Sequence, residues 1–178
     1  MALYARNQTI FRNSVGFTLI ELMVVLAISG VLILGGWSAL KNYIPNEDVR
    51  LMAHQLQSSL LMARSEAVKR SANTYLTPST SGYEGGWIIS TLQGRSFANC
   101  TVATPPDDCI YVFQNDRPIQ FDGLANQVTY NRQGRIPIGA NLSVSICDEN
   151  ESSFVSKRMI EVSPNGFPKI LVEGNCEP

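Results

Sequence analysis

The fold of this chain is decided by the stretch Gly16-Phe17-Thr18-Leu19-Ile20-Glu21-Leu22. This stretch joins a short basic leader to Leu22–Leu40, a run that contains no charged residue. A helix over that run is long enough to cross a bilayer, which takes about 20 residues. A carboxylate at the start of such a segment costs free energy unless it is paired, and it usually marks a function. The obvious partner of Glu21 is a free α-amine, made by cutting the chain between Gly16 and Phe17.

This junction resembles the class III signal of type IV prepilins and type II secretion pseudopilins. In that family a glycine precedes the cut, the first mature residue is aromatic and N-methylated, and a glutamate lies five residues in. The chain matches at Gly16, Phe17 and Glu21. The resemblance implies cleavage after Gly16 by prepilin peptidase, methylation of Phe17 and a role for Glu21 in assembly. The alternatives are an ordinary signal anchor and a cleaved secretory signal, but the latter would place small residues after the apolar run.

The apolar run also sets the expected domain boundaries. We expect residues 1–16 to be a removed leader, residues 17–44 a transmembrane and assembly helix, and residues 45–178 a periplasmic globular head. The leader carries two arginines and no acid. By the positive-inside rule it stays in the cytoplasm. The subunit is therefore expected to be a single-pass protein of the bacterial inner membrane before it joins a pilus, at or near the tip.

The charge of the head argues against general nucleic-acid binding. Removing the leader takes the net charge from −1 to −3, because 12 basic residues then stand against 15 acidic ones. A protein that binds nucleic acid through phosphate contacts needs clustered lysine or arginine. A local basic patch stays possible.

The four cysteines all lie in the part expected to be periplasmic, where an even number favours disulfides. Of three possible connectivities, we expect Cys100–Cys109, which closes a Pro-Pro-Asp-Asp loop, and Cys147–Cys176, which ties the C-terminus to a strand. The rival is a zinc site. The chain has no C-x-x-C pair and its one histidine lies far away in sequence, so we expect no metal.

Two consecutive helical patterns follow the leader. The apolar one runs from about Phe17 to Tyr43 and is interrupted at Pro45, after which Asn46 is a good N-cap. The second one ends near residues 69–73 and is amphipathic. Its apolar side chains recur at helical spacing: Val49, Met52, Ala53, Leu56, Leu60, Ala63 and Ala67. We expect one long helix, kinked or paused at the proline.

The remainder of the chain is rich in short β-type runs separated by Gly, Pro, Asn and Asp. The expected strands are Thr74–Thr77, Trp87–Leu92, Ile110–Gln114, Ile119–Phe121, Val128–Asn131, Leu142–Cys147, Arg158–Ser163 and Lys169–Val172. Pro164-Asn165-Gly166 indicates a hairpin turn between the last two. No helical pattern separates the strands, so the fold class is α+β, with a long N-terminal helix packed on a mostly antiparallel head.

The head resembles the FimT/FimU/GspH group of minor pilins and pseudopilins over residues 61–70, 86–89 and 128–135. Cys147 and Cys176 fit a FimU-like minor pilin better than a typical secretion pseudopilin. The resemblance implies a subunit that helps to prime or cap a type IV pilus for twitching or adhesion. Its implied partners are other major and minor pilins, prepilin peptidase, the inner membrane and the assembly machinery. A type II secretion pseudopilin of the GspH type is an alternative.

Some FimT-like members bind DNA for natural transformation through a Gly-Arg-x-Arg motif. The corresponding turn here reads Gly166-Phe167-Pro168-Lys169, without either arginine. Lys157, Arg158 and Lys169 could contact DNA only if strand pairing clusters them, and DNA is therefore a disfavoured partner. No catalytic constellation is visible, so neither an enzyme activity nor a cofactor is expected.

Overall fold

The computed structural model describes residues 17–102, 104–123, 127–137, 142–150 and 154–176, with side chains for all of these except 34–42. The chain divides into two compact units, Met1–Leu40 and Lys41–Pro178. Gly16, the residue before the predicted cut, lies outside the described residues.

Helix α1 spans Leu19–Arg70, and Pro45 lies inside it. The predicted helix cap at Asn46 is wrong, because the helix is already formed at that position. Proline removes a backbone donor and crowds the preceding turn, but tertiary packing of an amphipathic segment routinely outweighs such a local preference. Here all seven residues of the predicted apolar stripe are buried: Val49, Met52, Ala53, Leu56, Leu60, Ala63 and Ala67.

All eight predicted strands are present, with ends shifted by up to five residues. The strands are β1 Thr74–Ser79, β2 Gly82–Ser90, β3 Cys109–Gln114, β4 Ile119–Asp122, β5 Val128–Tyr130, β6 Leu142–Asp148, β7 Ser156–Val162 and β8 Pro168–Asn175. A short helix, α2 (Phe97–Cys100), precedes β3. Every strand pair is antiparallel. The strands form two four-stranded sheets in the orders β3-β2-β1-β5 and β4-β6-β7-β8. The predicted α+β class is confirmed.

One hydrophobic core joins the second half of α1 to both sheets. Trp87 of β2 is fully buried, and its ring centroid lies 4.5 Å from that of Phe113. In β6 the predicted alternation is clear, because Val144 and Ile146 are buried whereas Ser143 and Ser145 are half-buried. All the residues of this core come from the second unit, Lys41–Pro178. That unit therefore has the core an independent domain needs.

The turn between β7 and β8 lies where the sequence predicts it. The Ser163 amide donates to the Phe167 carbonyl at 3.1 Å, and the Gly166 amide donates to the Ser163 carbonyl at 2.7 Å. Gly166 has a φ of 81°, and a Cβ there would collide with the carbonyl of Gly134. Glycine is thus required at this position for its backbone conformation and for the close approach of a second turn.

Candidate functional site

The first turn of α1 is closed by a reciprocal pair of side-chain bonds. The Thr18 amide donates to Glu21 Oε2 at 3.0 Å, and the Glu21 amide donates to Thr18 Oγ1 at 3.3 Å. The Thr18 hydroxyl also donates to Glu21 Oε2, at 3.1 Å. This arrangement is a capping box, which satisfies backbone donors that a helix start leaves unpaired. The Thr-x-x-Glu spacing is the local sequence signal for this capping box, which was not among the predicted features.

Glu21 has no cation as a partner within the part of the chain that the structure describes. Phe17, whose α-amine would be freed by the predicted cut, is 89% exposed. The apolar side chains that follow are also uncovered, among them Leu19, Ile20, Leu26 and Ile33. A continuous apolar surface of this kind marks contact with a membrane or another protein. Within the described residues, no helix is long and apolar enough to cross a membrane.

Asn46 connects helix α1 to the start of β7 and to the residues just before it. Its side-chain amide donates to the Phe154 carbonyl at 2.9 Å, and its Oδ1 accepts from the Ser156 amide at 2.8 Å. The adjacent Val155 carbonyl accepts from the Cys176 amide at 2.8 Å. The asparagine side chain therefore bonds to backbone groups of this segment as a neighbouring strand would. This is its role in the structure, instead of the predicted helix cap. Its partners are more than 100 residues away, so no local sequence signal could have indicated them.

The cysteines form the two predicted pairs. Cys100 and Cys109 lie 5.7 Å apart between Cα atoms, and Cys147 and Cys176 lie 5.6 Å apart.

Beside the first pair, Arg95 donates to both carboxylate oxygens of Asp108, at 2.6 and 2.5 Å. These bonds hold the pKa of Asp108 below its usual range. Among the described residues, no group of three His, Cys, Asp or Glu side chains could hold a metal.

The three predicted DNA-contact residues do not come together. Strands β7 and β8 do pair, and Lys169 lies opposite Glu161. Arg158 belongs to the same face of β7 as the buried Ile160, and its Nε is buried without a hydrogen-bond partner in the described part of the chain. Lys157 lies at a register shift of the same strand. The sequence could predict that these strands pair, but it could not predict that Arg158 would lie on the same face of β7 as the buried Ile160.

Arg64 forms a second cationic feature, which no local sequence pattern indicates. Arg64 of helix α1 donates from Nε to the carbonyls of Gly134 and Asn165, at 3.0 and 3.4 Å. Its guanidinium carbon lies 3.9 Å from the ring centroid of Phe167, within cation–π range. Arg64 therefore holds together two turns, 131–135 and 163–167, which are far from each other in the sequence. The exposed residues Arg132 and Arg135 lie on the first of these turns.

Comparisons with known proteins agree with this architecture. A family model described as type II transport protein GspH matches residues 52–166, and one described as the prokaryotic N-terminal methylation motif matches residues 12–37. Among solved structures, the type IV minor pilin FimU of Pseudomonas aeruginosa PAO1 is similar, at 16% identity and a TM-score of 0.57. The alignment covers 74% of this chain and 96% of FimU.

The minor pseudopilin EpsH of the Vibrio cholerae type 2 secretion system is similar at 13% identity and a TM-score of 0.50, covering 70% of this chain and 96% of EpsH. At such identities the likeness shows a shared fold. A comparison with curated protein sequences found no match.

Proposed function

Because this chain belongs to the family of the type II transport protein GspH, it is a minor pilin or pseudopilin, and we propose that it serves in a type IV pilus. In this proposal the subunit assembles through its N-terminal helix and helps to prime or cap the filament. Its head then presents a fixed surface to other pilins. Twitching and adhesion are the activities that such a pilus supports.

The observation that carries the proposal is the contrast between the two units of the chain. The second unit buries its own core and is closed by two disulfides. The first unit leaves nearly every large apolar side chain from Phe17 to Ile33 uncovered. A chain with this division needs a membrane or neighbouring apolar helices to cover its first unit. A pilus subunit would have the membrane around this surface before assembly and the helices of neighbouring subunits around it in the filament.

Processing by prepilin peptidase is the first step of the proposed route. The methylation-motif match covers residues 12–37 and so includes the Gly16–Phe17 junction. Cleavage there removes both leader arginines and leaves the α-amine of Phe17, which is then methylated. The residues of this junction come immediately before the capping box, so the cut leaves Thr18 and Glu21 in place as the first turn of the mature helix.

Glu21 is the proposed assembly residue. Its carboxylate is exposed at the start of an apolar helix and makes its described bonds only to Thr18. In an apolar environment the attraction between a carboxylate and an ammonium group is far stronger than in water. The Phe17 amine of an adjoining subunit is the partner that would set the register of one helix against the next.

Localisation follows from the same route. Before assembly the subunit is a single-pass protein of the bacterial inner membrane, with the head in the periplasm. After assembly it belongs to the pilus, at or near its tip.

The experiment that tests this function is deletion of the gene, followed by counts of surface pili and measurement of twitching. Fewer pili and slower twitching, both restored by the intact gene, are expected. Normal piliation and twitching in the deletion strain would contradict the proposal.

A role in type II secretion is the second candidate, because the matching family is named for a type II transport protein. The same deletion strain separates the two functions. Loss of protein secretion with normal pili would assign the chain to a secretion pseudopilus. Loss of DNA uptake with normal pili would instead identify a DNA receptor, which the separated positions of Lys157, Arg158 and Lys169 do not favour.

A further inference from the structure

Three large apolar side chains are exposed at the start of the head's part of α1, and together they are here called the apolar rim. They are Tyr43, Ile44 and Phe154, with exposed fractions of 66%, 56% and 70%. An isolated exposed apolar side chain is ordinary on a protein surface. A group of large ones marks a place of contact with another protein or with a membrane.

Asn46 brings the members of the apolar rim together. Its side-chain amide donates to the Phe154 carbonyl at 2.9 Å. Tyr43 precedes Asn46 by three residues, and side chains with that spacing are neighbours on a helix. Phe154 therefore lies beside the turn of α1 that carries Tyr43. Ile44 extends the rim around the helix, because consecutive helical residues are about 100° apart.

The exposed ring of Phe154 belongs to a segment that is held in place. The next residue, Val155, is 1% exposed, and its carbonyl accepts from the Cys176 amide at 2.8 Å. The Ser156 amide donates to Asn46 Oδ1, also at 2.8 Å. Because α1 and the C-terminal segment both hold this backbone, contact with the rim does not need to order it, which lowers the entropic cost of binding.

Charges of both signs surround the apolar rim. Glu47 pairs with Arg50 at 2.8 Å, and Asp48 pairs with Arg117. The other charged side chains nearby are Lys157, Arg158, Asp116 and Glu149. Such a mixed surface is neither strongly attracted nor strongly repelled by a charged surface. The attraction must therefore come from burial of the apolar side chains, and it should not weaken with salt as a contact between exposed charges does.

The position of the rim along the chain indicates lipid as its occupant. Tyr43 and Ile44 follow Leu40, the last residue of the uncharged run, by three and four residues. At about 1.5 Å per residue in a helix, they come about 4.5–6 Å after it. The interfacial layer on each side of the hydrocarbon core is about 5–8 Å thick. With the run in the core, both side chains reach this layer, where aromatic side chains are enriched.

We propose that the apolar rim lies in the interfacial layer of the bilayer before assembly, so that the head is docked on the periplasmic face of the inner membrane. The inference rests on the proposed function, which places the uncharged run in that membrane. Because Phe154 lies to one side of α1, burial of the whole rim selects one tilt and one rotation of the head. The rim leaves the lipid when the subunit enters a filament.

The test places a fluorescent reporter in the rim of the full chain, reconstituted in phosphatidylcholine vesicles. The reporter is Phe154→Trp, in a chain that also carries Trp37→Phe. The remaining tryptophan, Trp87, is fully buried. Lipids with bromine on their acyl chains quench a tryptophan that touches them. The reporter is expected to lose most of its fluorescence in brominated vesicles, equally at low and high salt, and adding Tyr43→Ser and Ile44→Ser should reduce that loss.

The matched control is Leu92→Trp in the same background. Leu92 is 50% exposed and follows β2, whose residue Ser90 lies opposite Tyr75, just beyond the end of α1. This position is far from the rim and should keep its fluorescence. Equal loss at the two positions, or a loss at the reporter that disappears in high salt, would overturn the proposal. So would a reporter whose emission shifts to the blue without quenching, because protein instead of lipid would then cover the rim.

Trp37 separates this inference from the proposed function. It belongs to the uncharged run, and in a chain that keeps it the brominated lipid should quench it. Quenching of Trp37 without quenching of the reporter would overturn the docking of the head and leave the membrane span standing. An unquenched Trp37 would contradict the span itself, and the docked head with it.

Discussion

Thr18 and Glu21 hydrogen-bond to each other across the first turn of helix α1, through the Thr18 amide at 3.0 Å and the Glu21 amide at 3.3 Å. Glu21 therefore has two separable properties. Its shape and acceptor oxygen cap its own helix, and its charge is available for a neighbouring amine. Replacing Glu21 by glutamine keeps the oxygen that caps the helix and removes the negative charge.

The first prediction separates these two properties. Glu21→Gln should be cleaved normally but should enter pili at least about tenfold less often, the factor that corresponds to a loss of about 1.4 kcal/mol. Thr18→Ala should cost about 1 kcal/mol of helix stability through the lost cap and should still enter pili. The measurement is the amount of each variant in sheared pili relative to the membrane. Efficient incorporation of Glu21→Gln would show that the charge has no role.

The second prediction concerns the disulfides. Their cysteines are 9 and 29 residues apart in sequence, so loop-closure entropy gives stabilisations of about 2.6 and 3.6 kcal/mol. Replacing Cys147 and Cys176 by alanine should therefore destabilise the head more than replacing Cys100 and Cys109. Urea unfolding of the two double variants measures the difference. Reduction of the wild-type head is the control, and it should bring stability below that of either variant. A larger loss for the shorter loop would contradict this prediction.

The third prediction concerns Asn46. Replacing it with alanine removes a donor to the Phe154 carbonyl and an acceptor for the Ser156 amide. Leaving such groups without partners costs about 1–3 kcal/mol, which thermal unfolding of the head would detect. Gln57→Ala is the matched control on the same helix, because it removes one longer bond of 3.3 Å to the Pro168 carbonyl. Equal effects of the two substitutions would mean that Asn46 has no special role.

The fourth prediction is a pH dependence. Because Arg95 lowers the pKa of Asp108 in the folded head, the unfolded chain binds that proton more tightly. The pair therefore stabilises the head above the ordinary aspartate pKa of about 3.9, and this contribution is lost as the pH falls through the lower folded value. Wild type should be more stable than Asp108→Asn at pH 7, and the gap should shrink on acidification. Asp107→Asn is the control, and a gap that does not depend on pH would contradict the assignment.

Much of the fold could be predicted because its signals are local. The buried stripe from Val49 to Ala67 recurs with the period of a helix, and the eight strands are each marked by short β-type runs between turn residues. The turn at Pro164-Asn165-Gly166 could be predicted because these three residue types favour turns. Cys100–Cys109 was the simplest pair because it closes a short loop.

The features that sequence could not indicate depend on contacts between distant segments. Asn46 bonds to a loop more than 100 residues away, so the local capping rule led to a wrong prediction there. Arg64 reaches the carbonyls of Gly134 and Asn165, on two turns that are far from each other in the sequence. The capping box of Thr18 and Glu21 is different, because its Thr-x-x-Glu spacing is a local signal that the sequence does carry.

The central claim is that this chain is cut after Gly16 and then becomes part of a pilus. The measurement that tests it most directly is mass analysis of the N-terminal peptide of the chain in sheared, purified surface pili. We expect a peptide that begins with N-methylated Phe17. Absence of the chain from the pili, or a mature N-terminus at any residue other than Phe17, would contradict it.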